Sequence, residues 1–568
     1  MTGHSNSTTK RKRPSRARRQ YAADFETTTL VDDCRVWVWG IAELDKPETF
    51  EYDTTLDTFI ERIELHGSIT YFHNLRFDGH FIVDWMLKNG YTHATGDGQT
   101  MRSGTFKTLM SSLGKLFSIT VQWFNGNKTE FRDSLKKLPM SLSKVADAFK
   151  LDEAKGELDY NAPRPLGHIP TPEEIEYLRI DVVILCKAMG QVVRNGMTRL
   201  TVASDSLAEY KKLITTKGFL RTFPILADWM DAEIRRALRG GFTYADPRFS
   251  QRKVGAGLVL DVNSLYPAVM KNELLPYGEP EWVEDEVLPT ERRPLTVFSV
   301  TFTAKIKPKH IPCIQIKGTS MFSATEYLSE IVEPTTLMVT NVDWELYNEH
   351  YNIDVLAYGG GWRFHAARGM FDAYIDKWSR IKEHSTGGIR AIAKLHLNSL
   401  FGKFGSNPDV TSKYPELGDD DAVHWVRGMD DQRAPVYTAM AVFITAHARA
   451  LTIRAAQANY GTFAYADTDS LHLLTDEVPE GLEVHPTKMG AWKIEYYFTN
   501  AFYVRPKAYI EQTADGEYVN RVAGLPEQIS AQITFDDITN GKVFEGKLKP
   551  VSVPGGIVLL PIEYKLKW

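Results

Sequence analysis

Asp24 and Glu26 stand two apart in a run of β-formers, so both carboxylates point to one face of a strand. Two such charges about 4 Å apart repel by roughly 4 kcal/mol at an effective dielectric near 20, so a face that buries them needs a cation, a proton or an arginine. Asn74 and Asp78 recur at helical spacing in the aromatic stretch 71–79. Tyr177 and Asp181 lie one turn apart on a helix predicted over 172–198. Four acids and a tyrosine on three elements suit phosphodiester hydrolysis with two metal ions. One ion activates water, the other steadies the departing oxygen, and the tyrosine orients the nucleophile. Any one of these patterns is ordinary; their combination is not.

A second acid set begins at Asp261, which follows the apolar run 257–260 at a strand end. Asp467 and Asp469, in Tyr465-Ala-Asp-Thr-Asp-Ser470, lie between two β-rich runs and are predicted at the tip of a hairpin over 462–474. Three carboxylates and the backbone carbonyl of Val262 are hard oxygen ligands suited to Mg²⁺ carrying a nucleoside triphosphate. Between these acids runs a basic helix over 389–402. Arg390, Lys394, Asn398 and Phe401 form one face, and Ile389, Ala393, His396 and Leu400 form another that packs inward. A cationic stripe opposite acid-bound metals neutralises a triphosphate and its pyrophosphate leaving group. Lys507 and Tyr509 make a cation–aromatic pair that can hold a primer phosphate.

The elements that position these residues divide a 568-residue chain, long enough for three or four packed units. Hydrophobic content of 43% with 24% charged residues fits a soluble globular protein. No apolar run approaches the ~18 residues of a membrane span, and no apolar leader marks secretion. Cys34, Cys186 and Cys313 are far apart, which argues against a zinc site or disulfide framework and for a reducing, cytoplasmic setting. The first 20 residues hold seven Lys or Arg and no acid, leaving 60 basic against 72 acidic residues in the rest. That tail is expected to be disordered. The acidic body makes any nucleic-acid contact local. Residues 20–42 read as strand, turn and strand; 172–198 opens on Thr171-Pro172-Glu173-Glu174, a helix start. Residues 273–370 are β-patterned, 371–404 helical with a break at Gly387-Gly388, 406–437 polar and Asp-rich, and 438–459 a long helix.

These motifs, in this order, resemble the protein-primed family B DNA polymerases of small tailed phages, the phi-29 type. Asp24-Phe-Glu26, Asn74-x-x-x-Asp78 and Tyr177-x-x-x-Asp181 resemble its three exonuclease motifs. Asp261-x-x-Ser-Leu-Tyr266-Pro resembles polymerase motif A, Lys394-x-x-x-Asn398-Ser-x-Phe401-Gly402 motif B, and Asp467-Thr-Asp469 motif C, followed by Lys507-x-Tyr509. The likeness runs from about residue 20 to the end, including 133–139 and Thr445-Ala-x-Ala-Arg449. It implies an α+β multidomain protein: an RNase H-like α/β 3′→5′ exonuclease domain, then a right-hand polymerase with two family insertions. The implied bounds are tail 1–20, exonuclease 21–201, palm 202–272 and 438–528, fingers 371–405, and thumb 529–568. The insertion at 273–370 would contact a terminal protein that primes synthesis, and that at 406–437 would enclose DNA for processivity and strand displacement.

The resemblance further implies that His73, Asn74, Phe77, Ser134 and Leu135 hold single-stranded DNA and that Lys155 assists its hydrolysis. Tyr266 becomes a steric gate against ribonucleotides. Arg239, Gly240, Gly241, Thr445 and Arg449 become DNA contacts. Two Mg²⁺ per site are implied, replaceable by Mn²⁺, in a monomer that binds primer–template and deoxynucleoside triphosphates. The sequence departs from the family pattern at Leu238, where the family has tyrosine before Gly-Gly, at Phe401, also commonly tyrosine, and at His447, commonly tryptophan. A conventionally primed family B polymerase, a stand-alone 3′→5′ exonuclease and a non-catalytic DNA-binding protein are the competing readings. Only the polymerase readings use both acid sets.

Overall fold

The computed structural model describes residues 18–95, 101–316, 326–479 and 481–567. Most of the expected basic tail lies outside these residues. The strand Arg19–Thr27 starts inside the expected tail, with Arg18 on Glu130 at 3.3 Å, because the β-formers that begin there find partners on both sides. The chain forms two compact units: one of residues up to 195 with 411–429 and 552–558, the other of 196–410, 430–551 and 559–568.

The first unit is built on a mixed sheet. Arg19–Thr27 pairs antiparallel with Val36–Glu43 and parallel with Ser68–Phe72, which in turn pairs parallel with Lys128–Asp133. Helices Leu56–Glu64, Leu75–Lys88, Leu142–Phe149 and Pro172–Arg194 accompany it. The last begins with a capping box between Thr171 and Glu174 and proline at its first position, as its sequence predicts. Gly40 decides where this helix sits. It pairs with Asp24, and a Cβ there would lie 2.8 Å from Phe50 and 3.0 Å from Leu178, so only glycine lets the helix down onto the face carrying the acids.

The segment 406–437 is a hairpin, Asp409–Leu417 and Val423–Gln432. Its body, 411–429, belongs to the first unit: Ser412 and Lys413 pair with Ser111 and Met110, His93 stacks on Tyr414, and Lys88 reaches Asp421 at 3.1 Å. Composition alone did not show that a polar segment would complete a sheet edge far upstream.

The second unit holds an antiparallel sheet ordered Tyr518–Val522, Ala508–Thr513, Trp492–Arg505, Gly257–Val262, Ser470–Leu473, Phe463–Asp467, Thr243–Ala245. The apolar helix Thr438–Ala458 packs against it, buried along nearly its whole length. Residues 273–370 form a four-stranded sheet plus a helix that the β pattern concealed, Asn341–His350. Two helices, Asp372–His384 and Gly387–Phe404, fill 371–404. The break falls at Ser385-Thr386, one pair before the expected glycines, and Gly387, at φ 58°, opens the second helix. No helix among the described residues is long and apolar enough to cross a membrane.

Candidate active sites

In the first unit the strand Arg19–Thr27 delivers half-buried Asp24 and buried Glu26. The first turn of Leu75–Lys88 delivers buried Asp78, and Pro172–Arg194 delivers buried Tyr177 and Asp181. The four acids feel one another. Burial first, then Asp181, pushes Asp24 up to about 7. Burial and Asp24 hold Glu26 and Asp78 well above the carboxylate range, and burial raises Asp181. Lys155 Nζ donates to Asp181 Oδ2 at 2.5 Å and sits 5.3 Å above the Tyr177 ring. The Tyr177 hydroxyl meets that of Tyr160 at 2.8 Å. Tyr160 received no role from sequence, although it closes the segment that begins at Lys155.

Asn74 caps Leu75–Lys88 in a left-handed conformation, φ 76°, and its N–H donates to Asp133 Oδ1 at 3.1 Å. Asp133 Oδ1 also accepts from Leu135 N–H, and its carboxylate pairs with Lys136 at 2.7 Å. This buried acid joins the two stretches expected to hold DNA, and sequence reasoning gave it no part. His73 Nε2 donates to Met140 O at 2.8 Å, and its Nδ1 lies 2.9 Å from Ser134 Oγ. Ser134 is buried, with its hydroxyl also on Phe72 O, and reaches no surface. Phe77 is half-buried against Phe81.

In the second unit Ser470 is paired on one side with Asp261 and on the other with Asp467, so those acids share a sheet face. Thr468, at φ 62°, and Asp469 form the two-residue turn between the strands. Val262 N–H donates to Asp469 O at 2.8 Å and locks the turn to the Asp261 strand. Burial, then Asp469, pushes Asp261 up to about 7; burial raises Asp469. Asp467 accepts from Thr243 Oγ1 at 2.8 Å and from Lys507 Nζ at 2.8 and 3.0 Å. Lys507 is therefore placed on the Asp467 carboxylate. Tyr509 lies beside it, tilted on Tyr465. A cavity of about 650 Å³ opens over Asp261, Asp467, Asp469, Lys507, Tyr509 and Arg521.

Arg390, Lys394 and Asn398 are exposed on one face of Gly387–Phe404, and Phe401 stacks on Tyr266 with centroids 3.9 Å apart. Lys394 is close enough to Asp261 to favour its ionised form. Of the expected inward face, Ala393, His396 and Leu400 are buried; Ile389, in the first turn, is 44% exposed. Lys382 joins this cationic face from the preceding helix: its Nζ lies 3.4 Å from Ser264 Oγ, its carbonyl accepts from Arg390, and burial, Arg390 and Lys394 lower its pKa. No spacing pattern connected it to the stripe.

Besides buried Ser134, two further expected DNA contacts are corrected. The Arg449 guanidinium is buried, bonded to Asp343 at 2.7 and 2.9 Å and to the carbonyls of Arg239 and Gly240 at 2.8 and 2.9 Å. Thr445 is buried and donates to Ala441 O one turn back. Both face the interior because the helix carrying them is wrapped on most sides. Arg239 itself donates to Met338 O at 3.0 Å. Gly240 is exposed; Gly241 lies against the Thr468-Asp469 turn, where a Cβ would sit 2.7 Å from Thr468 Oγ1. His447 is tied to Leu274 O at 3.2 Å, an internal tether at one departing position.

Both donor sets are oxygen-only, as a hard divalent ion requires. Asp181 Oδ1 is moreover buried with no hydrogen-bond partner among the described residues. Yet no group of three Asp, Glu, His or Cys side chains among the described residues is arranged to cage an ion as it stands. The acids repel one another, and Lys155 and Lys507 draw Asp181 and Asp467 to themselves. The donors fit a hard divalent ion in chemistry.

Residues 61–170 and 170–484 match the family model for DNA polymerase type B, organellar and viral. The chain is 40% identical to the DNA polymerase of Bacillus phage Nf over 575 residues, covering 97% of this chain and 100% of that one. It is 41% identical to that of Bacillus phage phi29 over 574 residues, covering 97% and 99%. Solved structures of the phi29 DNA polymerase, 40% identical, match over 97% of this chain and 100% of theirs. Their TM-scores are 0.92 with primer–template DNA, 0.91 with incoming nucleotide added and 0.91 with single-stranded DNA. The chain belongs to the type B DNA polymerases, enzymes that work with divalent metal ions.

Proposed function

We propose that this chain is a replicative DNA-dependent DNA polymerase with its own 3′→5′ proofreading exonuclease, protein-primed, processive and strand-displacing. It acts as a monomer on a phage-type linear genome in the host cytoplasm. One observation carries the synthetic site: the register that sets Ser470 between Asp261 and Asp467, with Asp469 in the adjoining turn, gathers three acids at one sheet end below a cationic helix face. Two Mg²⁺ per site, for which Mn²⁺ can substitute, would supply Lewis acidity at the reacting phosphate and a more nucleophilic hydroxyl or water. Asp261 and Asp469, with Val262 beside them, would hold that pair during synthesis. Asp24, Glu26, Asp78 and Asp181 would hold it during proofreading.

The remaining residues bind and orient. Arg390, Lys394 and Lys382 neutralise the triphosphate, Asn398 lies on the same face, and Phe401 and Tyr266 stack as one surface against the base and sugar. Asp467, held by Thr243 and Lys507, fixes the turn that carries Asp469. In the other unit Tyr177, tethered by Tyr160, directs water at the terminal phosphodiester, and Lys155 offsets part of the burial that raises Asp181. His73, Asn74, Phe77 and Leu135 form the surface for a frayed 3′ end, with Asp133 as its internal brace. Protein priming rests on the insertion at 273–370, and strand displacement on the hairpin at 406–437. Supplying a cognate terminal protein, a template end and radiolabelled deoxynucleoside triphosphate tests the first: covalent label on that protein is the expected result. Extension only from a DNA or RNA primer would refute protein priming while leaving the polymerase assignment intact.

A further inference from the structure

A second basic feature of the polymerase unit is not used by the reaction just described. Between the helices Val202–Ile214 and Gly387–Phe404 lies a cavity of about 430 Å³ walled by Arg199, Lys211, Lys212 and Lys403, with Ser204 and Thr216 at its side. Leu207 and Ala208 give it an apolar floor. Among the described residues none of the four cations has a carboxylate partner. The nearby acids are committed elsewhere: Asp205 accepts from Arg199 N–H at 2.8 Å, and Glu209 pairs with Lys377. Lys211 and Lys403 are half-buried. Burial lowers the pKa of both, and Arg433 and Lys211 lower that of Lys403 further. A solvated cationic face would spread its charges into water. Here Arg199 and Lys212 are exposed at the rim while half-buried Lys211, its Nζ 4.4 Å from the Phe219 ring centroid, and half-buried Lys403 face one recess, where an anion offsets their repulsion.

We propose that this cavity binds a backbone phosphate of the single-stranded template ahead of the catalytic centre, with the adjoining sugar on its apolar floor. The proposal rests on the polymerase reading above. Lys403 lies two residues beyond Phe401, whose stack on Tyr266 marks the nascent base pair, and about 200° round the helix from it. The cavity thus lies on the far side of the helix from that pair, and the unpaired template would continue there. A recess admits one splayed nucleotide, whereas a duplex presents its phosphates on a convex surface.

The test is fluorescence anisotropy of Lys211→Ala/Lys403→Ala in the full chain. The substrates are one primer duplex whose template overhangs by one or by eight nucleotides. The expected result is that the tighter binding of the long overhang disappears while the short one binds as before. On the long overhang the slope of log affinity against log salt falls by about 0.7 for each phosphate that is no longer neutralised. Lys211→Arg/Lys403→Arg retains both, and the singly changed Lys403→Gln, should the double variant fail to fold, reads in the same direction. Equal weakening on both overhangs, an unchanged salt slope, or a raised KM for nucleotide with binding intact would overturn the assignment. Copying a one-nucleotide overhang tests the polymerase reading separately, since that reaction does not use the cavity.

Discussion

Arg449→Met separates two accounts of one arginine. The guanidinium spans Asp343 and the carbonyls of Arg239 and Gly240, and both charged side chains are about 97% buried. Removing one member of such a pair leaves an uncompensated buried charge, a loss of about 3–5 kcal/mol. The two carbonyls left without a donor add to this. Urea unfolding followed by tryptophan fluorescence should show the polymerase unit unfolding at markedly lower urea. Asp343→Asn combined with Arg449→Met should recover much of that loss, because the stranded charge is gone. The pH dependence supplies a second sign. Burial pushes Asp343 up, but Arg449 and then Arg239 outweigh it and hold the carboxyl below its usual value. Its contribution to stability is therefore present above the unfolded value of about 3.9 and lost as pH falls through the lower folded value. In Arg449→Met burial dominates and the folded value rises, so stability declines as pH climbs from about 4 toward 7. A variant with unchanged unfolding but weaker DNA binding would refute the internal role and restore the DNA contact.

The remaining expectations concern the two sites. Asp469→Ala should abolish primer extension, by more than the roughly 10²-fold lost with one electrostatic partner, while single-strand degradation continues; joint loss would mean one shared site. Asp24→Ala with Glu26→Ala should do the reverse in the same gel assays. Gly241→Ala should slow synthesis without slowing degradation, because its Cβ meets Thr468 at 2.7–2.8 Å and displaces the turn carrying Asp469; unaltered kcat would show that the turn yields freely. Phe401→Tyr offers the nucleotide one more hydrogen bond, worth on the order of 1 kcal/mol, so KM for nucleotide should fall about fivefold; no change would place that edge of the ring away from the substrate.

What could be read from the chain was whatever a single element encodes. The alternation that places Asp24 and Glu26 on one face, the turn at Asp467-Thr-Asp469 and the stripe from Arg390 to Phe401 are properties of one strand, one hairpin and one helix, and local geometry suffices for them. What was missed depends on elements brought together from afar. Asp343 and Arg449 are 106 residues apart, and no period links them. Arg449, a DNA contact by the resemblance, is instead bonded to Asp343 and to the carbonyls of Arg239 and Gly240. The same cause explains the lysines. Lys155 reaches Asp181 across 26 residues, and Lys507 reaches Asp467 across 40. Each acid set thus carries an ammonium delivered by a separate segment. A cluster of like charges cannot be held in a folded interior by its own elements; something from another segment must offset it. Motif spacing identifies the acids, but the partners that make them tolerable have to be sought across the fold.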